Sequence, residues 1–186
     1  QWEHWRCRSG GVVREDGTSV FNTYEAEMAV ALTRYLVMKQ GVHPHSVTIL
    51  CAYGAQLRRV RGLAERAGLW THGGAGGVLV HTVDNYQGQE NDVIILSLCR
   101  GNPRGQTGFL NIENRLIVML SRARKLLVVF VHLRTVTSSP ISRRIIDWAA
   151  DAKRETNGVA LVFPRHCGTC WAATPYEPDS QLTGCG

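Results

Sequence analysis

Residues 78–131 read VLVHTVDNYQGQENDVIILSLCRGNPRGQTGFLNIENRLIVMLSRARKLLVVFV, and this stretch decides the fold. Two apolar runs, 78–80 and 93–98, bracket a polar loop that contains Gln87, Gly88, Glu90 and Asp92. A third run, 126–131, follows a helical segment ending in Ser121-Arg122-Ala123-Arg124. Val, Ile and Leu continue through these runs without polar alternation, so both faces of each strand are apolar. Strands of that kind belong to a parallel sheet covered by helices on both sides. Polar, Gly-containing loops at the carboxyl ends of such strands are where open α/β sheets hold ligands.

The flanking segments complete the same pattern. Ser19 to Asn22 is a short strand, and Glu25 to Lys39 is a helix. Asn22 and Glu25 have the N-cap and N3 spacing of a capping box, Met28, Leu32 and Leu36 make a core-facing stripe, and Gly41 stops the helix. Val47 to Cys51 is the next strand, followed through Tyr53 and Gln56 by an Arg-rich helix to about Ala67, with Leu57, Val60 and Leu63 on one side. Trp70 to Gly77 is a Gly-rich connection that lacks the Gly-Lys-Ser/Thr ending of a phosphate-binding P-loop. Ser139-Pro140 caps a helix from about Ile141 to Lys153. Strand–helix alternation of this kind is the βαβ signature. Residues 1–18 read as an irregular lead-in, residues 19–155 as the α/β domain, and residues 156–186 as a Cys-containing tail.

The 186 residues suffice for one such domain with a short appendage. Apolar residues make up 44% and charged residues 19%, the balance of a folded chain. No apolar run is long enough to cross a bilayer, so no membrane partner is expected. The chain opens on Gln1-Trp2-Glu3 with neither Met nor a secretory pattern, which reads as the middle of a longer protein. Cys51 and Cys99 fall inside apolar runs as core thiols, and the compartment reads as reducing and intracellular, cytoplasmic before nuclear. The net charge is +6, with Arg58, Arg59, Arg61 and Arg66 in one segment and Arg115, Arg122 and Arg124 in another. That excess favours a polyanionic partner, although a solvated basic face has the same composition.

Four blocks in order make the resemblance specific. HTVDNYQGQENDVIILSLCR resembles motif V of superfamily 1 helicases, and NRLIVMLSRARKLLVVF resembles their motif VI. Gly108-Phe109-Leu110-Asn111 fits the spacer of the Upf1-like group, as do Ser19-Val20-Phe21-Asn22 with Glu25-Ala26, and Val47 to Leu50 with Tyr53 and Gln56. Within that group the chain looks most like the NFX-type zinc-finger helicases, whose motor is followed by a Cys-rich region. It departs from the group's pattern at Asn85-Tyr86, Gln89, Ile117 and Met119.

The resemblance implies a RecA-like parallel sheet of the P-loop NTPase superfamily, the second motor domain of an ATP-dependent helicase. Its partners would be single-stranded RNA or DNA and an upstream RecA-like domain holding most of the contacts to ATP and Mg2+. Arg122 would be the arginine finger, since phosphoryl transfer needs positive charge on the γ-phosphate. The same spacing also suits an Arg paired with a nearby acid. Gln87, Gly88 and Glu90 would complete the ATP site. Thr82, Tyr53, Gln56 and Arg124 are the candidates for nucleic acid, Arg124 also as a bridge between motifs V and VI. Asp84 and Asp92 read as structural acceptors, and Arg115 as structural too. With no Walker A or B motif in these residues, the chain alone should not hydrolyse ATP. Cys167, Cys170 and Cys185, with His166 as a strained fourth candidate, are the start of a Zn2+ ligand set or plain tail thiols. The rival reading is a helicase-like scaffold that binds RNA or a protein without turnover.

Overall fold

The computed structural model describes residues 13–16, 19–71, 76–100, 108–131, 135, 138–141, 143–145 and 147. Strands Val13–Asp16 (β1) and Ser19–Asn22 (β2) pair antiparallel as a small separate ribbon. Helix Thr23–Gln40 (α1) follows directly. The Asn22 side chain accepts the Glu25 N–H, and Gly41 at φ 68° ends the helix left-handed, as the sequence spacing predicts. Next come strand Val47–Cys51 (β3), helix Gly54–Arg66 (α2), strands Leu79–Thr82 (β4) and Asn91–Ser97 (β5), helix Glu113–Leu120 (α3) and strand Ala123–Phe130 (β6).

β3 to β6 form one parallel sheet in the order β4-β3-β5-β6. Every residue of β3 is buried, because helices or crossing chain cover both faces. One face carries Val47, Ile49, Val80, Val93, Ile95 and Val128 against α1 and α2. The other carries Leu50, Ile94, Leu96, Leu127 and Val129 against α3, Tyr86 and Ile145. Residues 140, 141, 143–145 and 147 are helical, as expected from Ser139-Pro140, and Arg144 pairs with Glu113 of α3.

Several boundaries differ from the sequence expectations. Val13–Asp16 lies in the stretch read as irregular; its polar VRED sequence is a strand because β2 supplies the hydrogen-bonding partner. On α1 the buried positions are Glu25, Ala26, Ala29, Val30 and Thr33, with Met28, Leu32 and Leu36 along the margin. Small residues at the centre let the helix approach the sheet closely. α3 ends at Leu120, so Arg122 lies in a turn and Arg124 lies on β6 rather than on a helix. Backbone pairing of Ala123 with Asn91 draws the chain into the sheet there. Cys51 and Cys99 are buried free thiols, as expected. Cys7, His166, Cys167, Cys170 and Cys185 lie outside the described residues, as does the expected boundary between residues 155 and 156.

The connection from β4 to β5 places the central loop. Both strands flank β3 and run parallel, so the chain must return from the carboxyl edge of the sheet to the amino edge. It does so through residues 83–90 across one face, where Val83 and Tyr86 are buried. Tyr86 is 2% exposed, and its hydroxyl lies 3.3 Å from the Thr48 hydroxyl, which also accepts from Asn91 Nδ2 at 2.9 Å. Tyr86→Phe keeps the ring and removes one buried hydrogen bond. Urea unfolding should register a loss of about 1 kcal/mol; an unchanged midpoint would show that the hydroxyl contributes nothing.

Candidate functional site

The polar residues collect at opposite edges of the sheet. At the amino edge, Tyr86 to Gln89 form a type II turn: Gln87 has φ −65° and ψ 131°, Gly88 has φ 78°, and Gln89 N–H donates to the Tyr86 carbonyl at 3.3 Å. The positive φ at the third position is why glycine stands at 88. Asn91 anchors the end of this loop. Its Nδ2 donates to the His45 carbonyl at 2.8 Å, and its N–H to the Arg122 carbonyl at 3.1 Å. Motifs V and VI are therefore joined through backbone at the starts of β5 and β6. Gln87, Gly88 and Glu90 are exposed there.

Arg122 sits beside them with an unusual set of partners. Its Nη1 donates to the Gln89 carbonyl at 3.3 Å, while its Nε is buried without a hydrogen-bond partner. No carboxylate pairs with it among the described residues. The nearby acid is already engaged: Asp92 takes Lys125 at 2.8 Å and Arg124 at 3.0 Å. The Lys125 hydrogen bond, with the charge of Arg124 behind it, holds the Asp92 carboxyl below its usual range. Arg124 thus ties β6 to β5. Arg115 reaches Asp84 at 3.9 Å on the exposed surface. An arginine with no acid partner among the described residues keeps Nη donors to offer a phosphate.

The expected ligand edge is corrected by this geometry. Gln87, Glu90 and Arg122 converge at the amino ends of β5 and β6, not at the carboxyl ends of strands. Thr82 and Tyr53 remain at the carboxyl edge. Thr82 Oγ1 accepts from Asn85 N at 3.3 Å, which leaves its O–H to donate outward.

Gln56 requires a correction as well. It is 0% exposed and cannot touch a nucleic-acid strand. Its Oε1 accepts from Asn22 N at 2.8 Å, and its Nε2 donates to the Asn22 carbonyl at 3.1 Å and to Ser97 Oγ at 2.8 Å. The amide stitches β2 to β5 through α2. Ser97 in turn donates to Glu25 Oε2 at 2.9 Å, and Cys99 N–H donates to the same oxygen at 2.9 Å. Burial pushes the Glu25 carboxyl up to about 7 against these hydrogen bonds, so desolvation outweighs them. The sequence pattern marked Glu25 as half of a capping box; only the fold brings Ser97 and Cys99 to it. Part of the basic surface is internal too: Arg61 donates to the Val80 carbonyl at 2.8 Å and lies over the Trp70 ring.

A family model for an AAA domain matches residues 4–134. The chain belongs to that family. Within it, the chain is an Upf1-like superfamily 1 helicase C-terminal domain with the RecA-like α/β fold. NFX1-type zinc finger-containing protein 1 of Homo sapiens is 39% identical over 153 residues, 82% of this chain and 7% of that protein. Helicase required for RNAi-mediated heterochromatin assembly 1 of Schizosaccharomyces pombe is 42% identical over 122 residues, 65% of this chain and 12% of that protein. Regulator of nonsense transcripts 1 of Dictyostelium discoideum is 29% identical over 143 residues, 76% of this chain and 11% of that protein. The AAA domain thus spans a small part of each relative. Among its described residues no helix is long and apolar enough to cross a membrane, and no group of His, Cys, Asp or Glu is arranged to hold a metal.

Proposed function

We propose that this domain completes the ATP site of a helicase and grips single-stranded RNA during each cycle of turnover. The observation that carries the reading is Arg122, half-buried beside Gln87-Gly88-Gln89 with no carboxylate partner among the described residues. In the proposed cycle, ATP and Mg2+ are held mainly by an upstream RecA-like domain. Closure of the two domains places the Arg122 guanidinium against the γ-phosphate, where it stabilises the charge of the transferring group. Gln87 and the Gly88 turn lie against the nucleotide, and the Glu90 carboxylate is free to accept from ribose hydroxyls. The strand lies at the opposite edge of the sheet, where Thr82 and Tyr53 meet it through its phosphates.

RNA is the favoured strand because one relative is named for RNAi-mediated heterochromatin assembly and another for nonsense transcripts. Buried free thiols at Cys51 and Cys99 fit a reducing compartment such as the cytoplasm. For the tail, Zn2+ at Cys167, Cys170 and Cys185 is supported by the CxxC spacing and by likeness to a relative named for an NFX1-type zinc finger.

The test is ATP hydrolysis with and without single-stranded RNA, in the protein extended upstream through its first motor domain. Turnover stimulated by RNA is expected. Tight RNA binding with no turnover under any condition would replace this reading with the scaffold.

A further inference from the structure

Arg100 belongs neither to the nucleotide cluster nor to the expected nucleic-acid contacts. It follows β5 at the carboxyl edge of the sheet. β5 is 7 residues long, so this edge lies about 20 Å from Arg122.

The side chain is built into place. Arg100 Nε donates to the Tyr53 hydroxyl at 3.0 Å, and the guanidinium lies 5.3 Å from the centre of the Tyr53 ring. Gly108 packs against the same pair: a Cβ there would stand 2.9 Å from Arg100 Nη2 and 3.0 Å from the Tyr53 hydroxyl. The backbone leading to Arg100 is also committed, because Cys99 adopts φ 60° while its N–H is held by buried Glu25. The bond to Tyr53 engages Nε, and no carboxylate pairs with Arg100 among the described residues. A guanidinium fixed in this way, half exposed and without an acid, presents its Nη donors to an anion from outside.

Two neighbours point to the same ligand. Tyr53, the N-cap of α2, presents its ring beside Arg100, while the first turn of that helix is capped from β2, Ala55 N–H donating to Ser19 Oγ at 3.0 Å. Thr82 ends β4, Tyr53 follows β3 and Arg100 follows β5, and these are three neighbouring strands. Their polar groups form a row about 10 Å long across the sheet edge.

We propose that Arg100 is a phosphate contact for single-stranded nucleic acid, positioned by Tyr53 and Gly108. The strand crosses the carboxyl edge along the line Thr82, Tyr53, Arg100, perpendicular to the β-strands and away from the ATP cluster. This rests on reading the chain as a strand-gripping motor domain.

The test titrates a single-stranded RNA oligonucleotide at several salt concentrations, using the protein extended upstream through its first motor domain. Arg100→Ala should weaken binding roughly tenfold. It should also lower the slope of log affinity against log salt by about 0.7, the share of one phosphate on a single strand. Arg100→Lys keeps the slope. Gly108→Ala retains every charge but displaces the guanidinium at a backbone φ of 52°, and with its folding checked by thermal unfolding it should reproduce the lowered slope. The KM for ATP stays constant in all three. An unchanged salt slope in Arg100→Ala or Gly108→Ala overturns the assignment. So does a raised KM for ATP with an unchanged slope, which would make the anion a nucleotide phosphate. Absence of RNA binding by the unsubstituted protein would instead overturn the motor reading itself.

Discussion

Arg122→Ala is expected to lower RNA-stimulated ATP turnover by about 10³ to 10⁵, the usual contribution of an arginine finger. The loss should fall on kcat, with nucleotide affinity largely kept, because the proposed cycle assigns the ground-state contacts to ATP mainly to an upstream domain. Neighbouring charge does not substitute: Arg124 and Lys125 are both drawn onto Asp92. Arg122→Lys should recover only part of the rate, since an ammonium lacks the planar fork that spans two phosphoryl oxygens. Stability separates this role from a structural one. Arg122 makes one backbone hydrogen bond and leaves Nε unsatisfied, so Arg122→Ala should change unfolding free energy by only about 0.5 kcal/mol. Equal turnover in the two proteins would sink the finger. A large loss of stability alongside the loss of rate would make Arg122 a structural residue.

The second large effect is a pH dependence of stability centred on Glu25. Its carboxyl, pushed from 4.5 to about 7 by burial, holds a proton in the folded chain that the unfolded chain has already released between those values. Stability from this group is therefore fully present below about pH 4.5 and lost as pH rises through about 7. A shift of that size corresponds to about 3 kcal/mol. Glu25→Gln cannot titrate, so the stability difference between it and the unsubstituted chain should change by about 3 kcal/mol from pH 4.5 to 8, the variant gaining relative ground as pH rises. Urea unfolding across that range measures it. Parallel curves for the two proteins would mean that Glu25 keeps an ordinary carboxyl. The groups facing it are Asn22, Ser97, the Cys99 N–H and the thiols of Cys51 and Cys99, whose own protons burial retains.

Much of the architecture was legible because a parallel sheet buries both faces of its strands. β3 and β5 are unbroken apolar runs with no alternation to misread. The start and stop of α1 were equally plain, since an N-cap Asn, an N3 Glu and a left-handed Gly act within a few residues of each other. β1 was not legible. VRED has neither apolar alternation nor a turn signal, and its strand conformation comes from pairing with β2. Arg124 was misplaced for a related reason: helix-forming residues continue past Leu120, but the ladder with Asn91 and Val93 takes them into β6.

The candidate site divides in the same way. By itself the sequence determined the residue types and their local geometry: the Gln87-Gly88 turn, the Ser-Arg-Ala step at 121–123 and the polar strand end at Thr82. These depend on neighbours along the chain. Only the tertiary structure decided which edge of the sheet each one occupies, because that follows from the return of residues 83–90 across β3. It also decided that Gln56 is sealed inside, bonded to Asn22 and Ser97, while Arg100 is held outward on Tyr53. A polar side chain is interior or exposed according to the partners that distant segments bring to it, and buried hydrogen-bonding capacity must be satisfied wherever the fold places it.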